Sequence, residues 1–332
     1  MTSTEPLPLP VLDGDLEARL RAGLAEVELA LNDVVHSEAP FVTEAAQHLL
    51  HAGGKRFRPL LVLLAAETGR PDREAVVTAG CVVELTHLAS LYHDDVIDQA
   101  DMRRGTESAN ARWDNHVAIL TGDFLFSKSS ELTARLGADA VRIQSETFTR
   151  LVEGQILETL GPKPGEDPIE HYLRVIVGKT GALIAASALY GARYSGATRE
   201  VEEALTAYGE KIGCAFQLSD DLIDVASDSG VSGKTPGTDL REGVPTLPVL
   251  IAQRSEDPAD SRLRELLAGA LTDDAVHAEA LDLLRKHPAM EQARNLVTTR
   301  ANEAREVLAV VPQGPARDAL DAFAEMIANR SA

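Results

Sequence analysis

The sequence predicts an all-α protein, and three observations support the prediction. Apolar residues recur at three- and four-residue intervals along almost the whole chain, as in DLEARLRAGLAEVELALNDVV from residue 15 onward. Alanine and leucine, both strong helix formers, are plentiful, while aromatic residues make up only 4%. No convincing run of alternating apolar and polar residues is present. We therefore expect long, mostly antiparallel helices around a central space.

The predicted helices follow one another and are separated by stretches rich in glycine and proline. The first covers residues 15–35 and the second 73–98. Later helical patterns cover 118–137, 145–160, 170–194 and 201–226, and the tail over 257–332 contains several more. Breaks fall at HAGGKRFRP, TGRPDRE, LGPKPGEDPIE and SDSGVSGKTPGTDLREGVPTLP. We predict a single all-helical domain over 1–332, with 1–14 as a flexible N-terminal segment.

The composition narrows the possible partners and the location of the protein. The formal net charge of −20 argues against nucleic acid and anionic membrane surfaces as partners. The two cysteines, Cys81 and Cys214, fit neither a disulfide framework nor a zinc site. The proline-rich start has no signal-peptide pattern, and the longest apolar run is interrupted by Lys179. We expect a soluble, cytoplasmic protein without stable membrane insertion.

Two nearly identical pentapeptides, DDVID over 94–98 and DDLID over 220–224, each place three aspartates within one helical turn. On a helix, Asp94 and Asp98 project about 40° apart and lie roughly 6 Å apart along the axis, with Asp95 about 100° round. The second pentapeptide repeats this arrangement. The predicted metal ligands are Asp94, Asp95, Asp98, Asp220, Asp221 and Asp224.

Such clusters are unfavourable without a bound cation. Adjacent carboxylates raise one another's pKa, and both clusters lie late in their helices, where the helix dipole also disfavours anions. All-oxygen ligands suit a hard cation such as Mg²⁺, which a few carboxylates hold together with water and substrate phosphates. A calcium-binding loop would need ligands at alternate positions and a central glycine. For either cluster taken singly, a solvated helix end is the alternative.

This acidic protein has basic residues at specific places before, between and after the two clusters. The candidates are Lys55, Arg56 and Arg58 in GGKRFRP, Arg103 and Arg104 after DDVID, Lys179 in an apolar helix, and Lys234 in a glycine-rich loop. Lysine and arginine beside metal-type carboxylates suggest the binding of diphosphates. A surface turn at GGKRFRP and solvated charges at the adjacent arginines are the alternatives. Lys179 is costly within an apolar helix unless it faces a polar cavity.

Two further polar residues share a helix face with the aspartates. His87 lies seven residues before Asp94, and Gln217 lies three residues before Asp220. Each therefore faces the same way as the aspartate that it precedes. For an isolated histidine, a core residue with satisfied hydrogen bonds is the alternative.

The ordered motifs GGKRFRP, HDDVIDQADMRRG, GQILE, GKTGAL, FQLSDDLIDV and GKTPGTDLREGVPTLP resemble those of the trans-type polyprenyl diphosphate synthases, relatives of farnesyl and geranylgeranyl diphosphate synthases. The match covers roughly residues 45–250. The resemblance implies an all-α fold with helices around a deep central cavity, usually as a homodimer. It implies that the two aspartate motifs face each other across the mouth and hold about three Mg²⁺ ions on an allylic diphosphate. It implies that isopentenyl diphosphate attacks the allylic cation and that the released diphosphate takes up a proton.

The resemblance also assigns roles to the candidate residues. Asp94, Asp98 and Asp220 are implied to be direct metal ligands, and the other aspartates bind directly or through water. Residues implied to bind the allylic diphosphate are Arg103, Lys179 and Lys234. Residues implied to bind isopentenyl diphosphate are Lys55, Arg58, His87 and Arg104. Thr180 and Gln217 are implied to present oxygens to the developing cation. Val244 departs from the pattern, since many short-chain relatives have a second lysine there.

The residues before DDVID predict a long product. Ala89 and Ser90 lie one turn before the motif and Thr86 one turn further, where aromatic side chains would close the cavity under a growing chain. Because these side chains are small, we expect an all-trans product of about thirty carbons or more. A floor supplied by another helix, such as the one with Phe124 and Phe126, would instead give a short-chain farnesyl or geranylgeranyl diphosphate synthase.

Two other functions stay open on the sequence alone. A class I terpene cyclase also has an aspartate-rich helix, but that resemblance predicts an Asn/Ser/Glu-type second motif and no GGKRFRP. A regulatory subunit that only modulates a catalytic partner would be favoured by eroded aspartate motifs, and both motifs are complete.

Overall fold

The computed structural model describes residues 7–227 and 236–330, and within these ranges the chain is almost entirely helical, which confirms the all-α prediction. The helices of the first half are α1 (Gly14–Val34), α2 (Pro40–His51), α3 (Phe57–Ala66), α4 (Arg73–Ile97), α5 (Ala109–Arg112), α6 (Asn115–Leu136), α7 (Ala138–Leu160) and α8 (Pro168–Ile176). Those of the second half are α9 (Ala182–Arg193), α10 (Arg199–Ala226), α11 (Thr238–Glu242), α12 (Leu247–Gln253), α13 (Ser261–Leu266), α14 (Asp274–Lys286), α15 (Pro288–Val307) and α16 (Pro315–Arg330). The strands among the described residues, β1 (Met102–Arg103) and β2 (Thr106–Glu107), pair in a short antiparallel hairpin.

The contacts within the chain divide it into two compact units, and each unit carries one aspartate motif. The first unit comprises Met1–Thr149, Leu183–Gly209 and Leu308–Ala322, and it contains DDVID. The second comprises Arg150–Ala182, Glu210–Val307 and Phe323–Ala332, and it contains DDLID. The single domain over 1–332, the central cavity and the flexibility of 1–14 stay predictions. Residues 1–6 of that segment lie outside the described residues, and Leu9 is buried.

In the first unit, α4 packs antiparallel against α6. The Thr86 hydroxyl lies 3.0 Å from the Ser129 hydroxyl, and the Nε2–H of His93 donates to the Ile119 carbonyl at 3.1 Å. From the first contact to the second, the residue numbers rise along α4 and fall along α6, so the two helices are antiparallel. Gly122 permits this close approach, since a Cβ there would lie 2.3 Å from the His93 ring. The end of α4, where DDVID lies, is thus fixed against α6.

The helix predicted over 170–194 is interrupted by one π-helical turn, Val177–Gly181, which lies in the second unit. Helix α7 crosses this turn closely, since a Cβ on Gly154 would lie 2.7 Å from the Lys179 backbone nitrogen. A single π turn inside an α-helix is frequently found at a functional site. This turn carries two of the predicted site residues, Lys179 and Thr180.

Two helical stretches, Arg73–Ile97 and Pro168–Arg193, are long and apolar enough to cross a membrane by length and composition. Within the structure, 67% and 72% of their most apolar windows are buried. Most of their apolar surface therefore contributes to packing inside the protein, as in the core helices of a globular fold.

Candidate active site

The three aspartates of DDVID differ in exposure. Asp94 is half-buried and Asp98, the C-cap residue of α4, is exposed, whereas Asp95 is fully buried. Asp95 Oδ1 accepts a hydrogen bond from Arg103 Nε at 2.6 Å, and Oδ2 has no hydrogen-bond partner among the described residues. Burial raises the pKa of Asp95, although the Arg103 guanidinium opposes the shift. The protein therefore holds the inner aspartate and presents the outer two.

The β1–β2 hairpin positions Arg103 and Arg104. The turn residues Arg104 and Gly105 both have positive φ, 52° and 77°, as a type I′ turn requires. Arg104 donates hydrogen bonds from Nη1 to the carbonyl oxygens of Leu49 at 3.1 Å and Gly53 at 2.5 Å. The tight turn therefore directs two adjacent arginines to different parts of the first unit.

Arg58, His87 and Arg104 form a half-buried basic cluster in the first unit. Burial lowers the pKa of Arg58 to about 10. Burial, together with the charges of Arg58 and Arg104, lowers the pKa of His87 well below its usual value. The Nε of Arg58 is buried without a hydrogen-bond partner in the part of the chain that the structure describes. Such a guanidinium, with a second arginine close by, suits an anionic ligand.

The sequence does not distinguish Arg56 from its basic neighbours, but the structure does. Arg56 is buried and donates hydrogen bonds to Glu84 at 2.9 Å, to Glu28 at 2.5 Å and to the Leu50 carbonyl at 2.8 Å. Lys55 beside it is exposed. Arg56 is therefore a structural residue, and its acidic partners, each 28 residues away, could not be identified from the motif.

The two glycines of GGKRFRP have a conformational and a steric role. Gly53 and Gly54 have φ values of 96° and 132°, which side chains other than that of glycine disfavour. A Cβ on Gly54 would also lie 2.9 Å from the guanidinium carbon of Arg104. The glycines therefore allow the loop to pass directly over this arginine.

DDLID repeats the exposure pattern of DDVID, with Asp220 and Asp224 half-buried and Asp221 buried. Asp221 accepts hydrogen bonds from the Tyr172 hydroxyl and from Gln217 Nε2, the latter at 3.1 Å. Burial raises the pKa of Asp221 to about 6 in spite of these two hydrogen bonds. Tyr172 was not predicted, because it lies 49 residues before Asp221 and belongs to no recognised motif.

The two outer aspartates of DDLID also have protein partners. Arg330 Nη2 donates to Asp220 Oδ1 at 2.6 Å. The backbone amides of Thr238 and Asp239, at the start of α11, donate to the Asp224 carboxylate at 3.2 Å each. Arg330 was likewise missed, since 110 residues separate it from Asp220.

The structure brings several predicted residues of the second unit together. The Thr180 hydroxyl donates to Gln217 Oε1 at 3.3 Å. Lys179 Nζ lies 2.5 Å from Glu158 in the GQILE motif. Lys234 lies outside the described residues, and Val244 is 40% exposed.

The residues predicted to control product length lie in the first unit. Thr86 and Ala89 are fully buried, and Ser90 is 9% exposed. Two aromatic rings on other helices, Phe126 of α6 and Phe148 of α7, lie 4.2 Å apart between centroids and are only half-buried. An aromatic floor on this unit would therefore come from α6 and α7 rather than from the α4 positions before DDVID.

The donor atoms at both motifs fit a hard divalent cation. Both motifs offer only carboxylate oxygens, and Asp95 Oδ2 is a buried acceptor without a hydrogen-bond partner among the described residues. No three His, Cys, Asp or Glu side chains converge to hold a metal ion in the ranges that the structure covers. Water and ligand oxygens would therefore complete the coordination, as is usual for Mg²⁺.

Comparisons with known proteins agree with this chemistry. The polyprenyl synthetase family profile matches residues 39–284. The chain is 49% identical to nonaprenyl diphosphate synthase of Mycobacterium tuberculosis over 96% of its length and 95% of that protein. It is 44% identical to dimethylallyltranstransferase of the same organism, over 93% and 94%. Geranylgeranyl pyrophosphate synthase of Corynebacterium glutamicum, solved with calcium and isoprenyl diphosphate, superposes with a TM-score of 0.88 and 43% identity, over 97% of this chain and 99% of that one.

Proposed function

The chain belongs to the polyprenyl synthetase family, and from this premise we propose that it condenses isopentenyl diphosphate with an allylic diphosphate in a Mg²⁺-dependent reaction. It is a polyprenyl diphosphate synthase, a transferase of prenyl groups. The observation that carries the proposal is the repeated design of the two aspartate motifs. In each, the inner carboxylate is buried and held by a side chain of the protein, and the two outer carboxylates are more exposed.

The outer aspartates are assigned as the carboxylates that bind Mg²⁺. Asp94 and Asp98 would do so in the first unit, and Asp220, joined by Asp224 directly or through water, in the second. The inner residues Asp95 and Asp221 are assigned to the same sites through water or by fixing their neighbours. When bound, Mg²⁺ supplies positive charge that stabilises the departing diphosphate. The calcium in the related geranylgeranyl pyrophosphate synthase structure supports the use of a divalent ion.

The chain's own residues then orient and stabilise the allylic substrate. Lys179, with Arg103 and Lys234, would bind its diphosphate, and the ion pair with Glu158 holds Lys179 in place before the substrate arrives. Gln217 donates from Nε2 to Asp221, which turns its Oε1 towards the Thr180 hydroxyl. These two oxygens are assigned to the developing allylic cation.

The basic cluster of the first unit is assigned to isopentenyl diphosphate. Arg58 and Arg104 would bind the diphosphate by charge-assisted hydrogen bonds, with exposed Lys55 at the edge. The pKa of His87 is well below its usual value, so that at neutral pH its neutral ring can donate one hydrogen bond without adding charge. No metal is required for this diphosphate, because the cluster itself supplies the cations.

The proposed product is a long all-trans polyprenyl diphosphate of about thirty carbons or more. The nonaprenyl diphosphate synthase relative and the small residues Thr86, Ala89 and Ser90 support this length. The short-chain alternative is supported by the geranylgeranyl pyrophosphate synthase neighbour and by the partly exposed rings of Phe126 and Phe148. A measurement of product size distinguishes the two.

We also propose that the enzyme is a cytoplasmic homodimer. Within the second unit, Val152, Ile156 and Leu160 of α7 are 37%, 51% and 75% exposed at four-residue spacing, which forms an apolar stripe on one helix face. In the first unit, Ile119 and Leu120 of α6 are also exposed. Sedimentation equilibrium should give twice the 35.5 kDa chain mass, and Ile156→Glu should favour the monomer.

The decisive experiment supplies the purified chain with farnesyl diphosphate, radiolabelled isopentenyl diphosphate and MgCl2. The products are dephosphorylated and sized by reversed-phase chromatography. Label in polyprenols longer than geranylgeraniol supports the proposed function and length. Products that stop at geranylgeraniol or below support the short-chain alternative and refute the long product.

Two further arms of the assay test the other functions. A terpene cyclase would consume farnesyl diphosphate and release a hydrocarbon when isopentenyl diphosphate is omitted. A regulatory subunit would show no condensation without a second protein. Either result would overturn the proposed function.

A further inference from the structure

The C-terminal helix α16 places a cation on the second aspartate motif. Arg330 Nη2 donates to Asp220 Oδ1 at 2.6 Å, and the two side chains are 31% and 40% exposed. The guanidinium carbon of Arg330 lies 5.3 Å from the centroid of the Phe216 ring. Phe216 and Asp220 are one helical turn apart on α10, so that one arginine contacts both. This contact serves no role in the substrate chemistry described above.

Among the described partners of the DDLID aspartates, Arg330 is the one that can leave most easily. Asp221 is held by the hydroxyl of the half-buried Tyr172, and Asp224 by backbone amides at the start of α11. Release of either would require movement of a half-buried ring or of the backbone. Arg330 instead lies in the last turn of α16, and its guanidinium is at the end of a flexible side chain. Rotation about the side-chain bonds is sufficient to release Asp220.

A metal ion and Arg330 cannot share the same carboxylate oxygen. Both are cations, and at contact distance their repulsion is large even when partly screened by solvent. A metal that binds Asp220 Oδ1, the oxygen that Arg330 contacts, must therefore displace Arg330 from it. When a side chain already pairs with a metal-binding carboxylate, the metal must break that pair in order to bind. The apparent metal affinity is lowered by the free energy of the pair.

We propose that Arg330 is an internal counter-ion that occupies Asp220 until a divalent metal displaces it, so that the C-terminal helix sets the metal concentration at which the second motif is loaded. This inference rests on the proposed metal-binding role of Asp220. Its effect is on the threshold for metal binding rather than on the chemical step. Before loading, Arg330 also neutralises one of three adjacent carboxylates.

The test measures metal binding directly. Full-length protein is titrated with Mn²⁺ in the presence of inorganic diphosphate, and free Mn²⁺ is followed by electron paramagnetic resonance. Arg330→Gln should bind Mn²⁺ about two- to five-fold more tightly than wild type, which is the range of an exposed ion pair. Arg330→Lys, which keeps the charge but loses the planar group over Phe216, should lie between the two.

Arg317→Gln is the matched control. It lies on the same helix, donates to the Val311 carbonyl, and should leave Mn²⁺ affinity unchanged. Asp220→Asn should weaken Mn²⁺ binding, and adding Arg330→Gln to it should change nothing further, because the two residues act as a pair. Thermal unfolding without metal checks that each variant is folded.

The outcomes separate this inference from the proposed function. Equal or weaker Mn²⁺ binding in Arg330→Gln, with a wild-type enzyme that binds Mn²⁺ and makes product, overturns the counter-ion alone. Tightening that persists in the Asp220→Asn background also overturns it. A wild-type protein that binds no Mn²⁺ in the presence of diphosphate would overturn the proposed metal dependence as well.

Discussion

The hydroxyl of Tyr172 on α8 donates a hydrogen bond to the buried carboxylate of Asp221 on α10. The carboxylate belongs to DDLID, whereas Tyr172 lies in none of the motifs that resemble the family. Burial and the neighbouring carboxylate raise the pKa of Tyr172 well above its usual value, so that its hydroxyl remains a donor. Tyr172 therefore helps to fix the inner aspartate of the second motif.

Replacement of Tyr172 by phenylalanine should weaken both stability and activity. The buried Asp221 carboxylate loses a donor, which should lower the free energy of unfolding by about 1–3 kcal/mol. We also expect a higher Mg²⁺ requirement in the condensation assay. The matched control is Tyr190→Phe, whose buried hydroxyl donates to the Ala140 carbonyl, and it should lose stability without a change in Mg²⁺ requirement. An unchanged Mg²⁺ requirement in Tyr172→Phe would contradict the prediction.

Replacement of Glu84 by glutamine should destabilise the first unit. Glu84 is buried against Arg56 at 2.9 Å, and its loss leaves a buried guanidinium with less compensation. Chemical denaturation should show a loss of up to about 3–5 kcal/mol. Glu26→Gln is the control, because its ion pair with Arg73 is exposed and should be worth less than about 1 kcal/mol. Similar losses for both variants would be inconsistent with a structural role for the buried pair.

A methyl group at Gly154 should disturb the π-helical turn. The added Cβ would lie 2.7 Å from the Lys179 backbone nitrogen, and overpacking of this kind costs about 1–3 kcal/mol of stability. Displacement of Lys179 should also lower kcat by about ten-fold or more. Gly269→Ala has no atom within 4 Å of its Cβ and should leave both quantities nearly unchanged. Wild-type activity in Gly154→Ala would show that the close approach is dispensable.

The stability of the protein should fall in acid partly because of His87. Its folded-state pKa lies well below 6.5, so that below that pH the unfolded chain binds a proton that the folded chain does not. The free energy of unfolding should therefore decrease as the pH falls below about 6.5, by up to about 1.4 kcal/mol per pH unit from this residue.

Denaturation curves between pH 7 and pH 5 measure the slope. His87→Gln should flatten it, whereas His116→Gln, with a side chain 91% exposed, should leave it unchanged. A His87→Gln variant with the wild-type slope would show that other groups dominate the acid response.

A phenylalanine at Ala89 should shorten the product. The position is fully buried one turn before DDVID, so that a large ring there must take space on this face of α4. Reversed-phase sizing of the polyprenols should show a shift to shorter chains, and thermal unfolding should check that the variant is folded. Unchanged product length in a folded variant would place the floor elsewhere, with Phe126 and Phe148 as the next candidates.

The sequence by itself determined the helical class and supplied most of the residues proposed for the site. The three- and four-residue apolar spacing depends only on neighbours along the chain, and α4 accordingly begins at Arg73 and ends at Ile97, within one residue of the prediction. The spacing of the two aspartate motifs was also sufficient to identify paired metal-type carboxylates. The resemblance assigned Thr180 and Gln217 to the same developing cation, and in the structure the two side chains form a hydrogen bond.

Only the tertiary structure decided which of these groups are held by the protein itself. Arg56 and Arg58 do not differ in residue type, and the resemblance assigned a role only to Arg58. In the structure Arg56 is paired with two glutamates, while Arg58 has a buried nitrogen without a hydrogen-bond partner among the described residues. The partners of Asp221 and Asp220, Tyr172 and Arg330, lie 49 and 110 residues away in the sequence. Local periodicity sets the face on which a side chain lies, but the group opposite that face depends on how distant helices pack, and no local pattern encodes that packing.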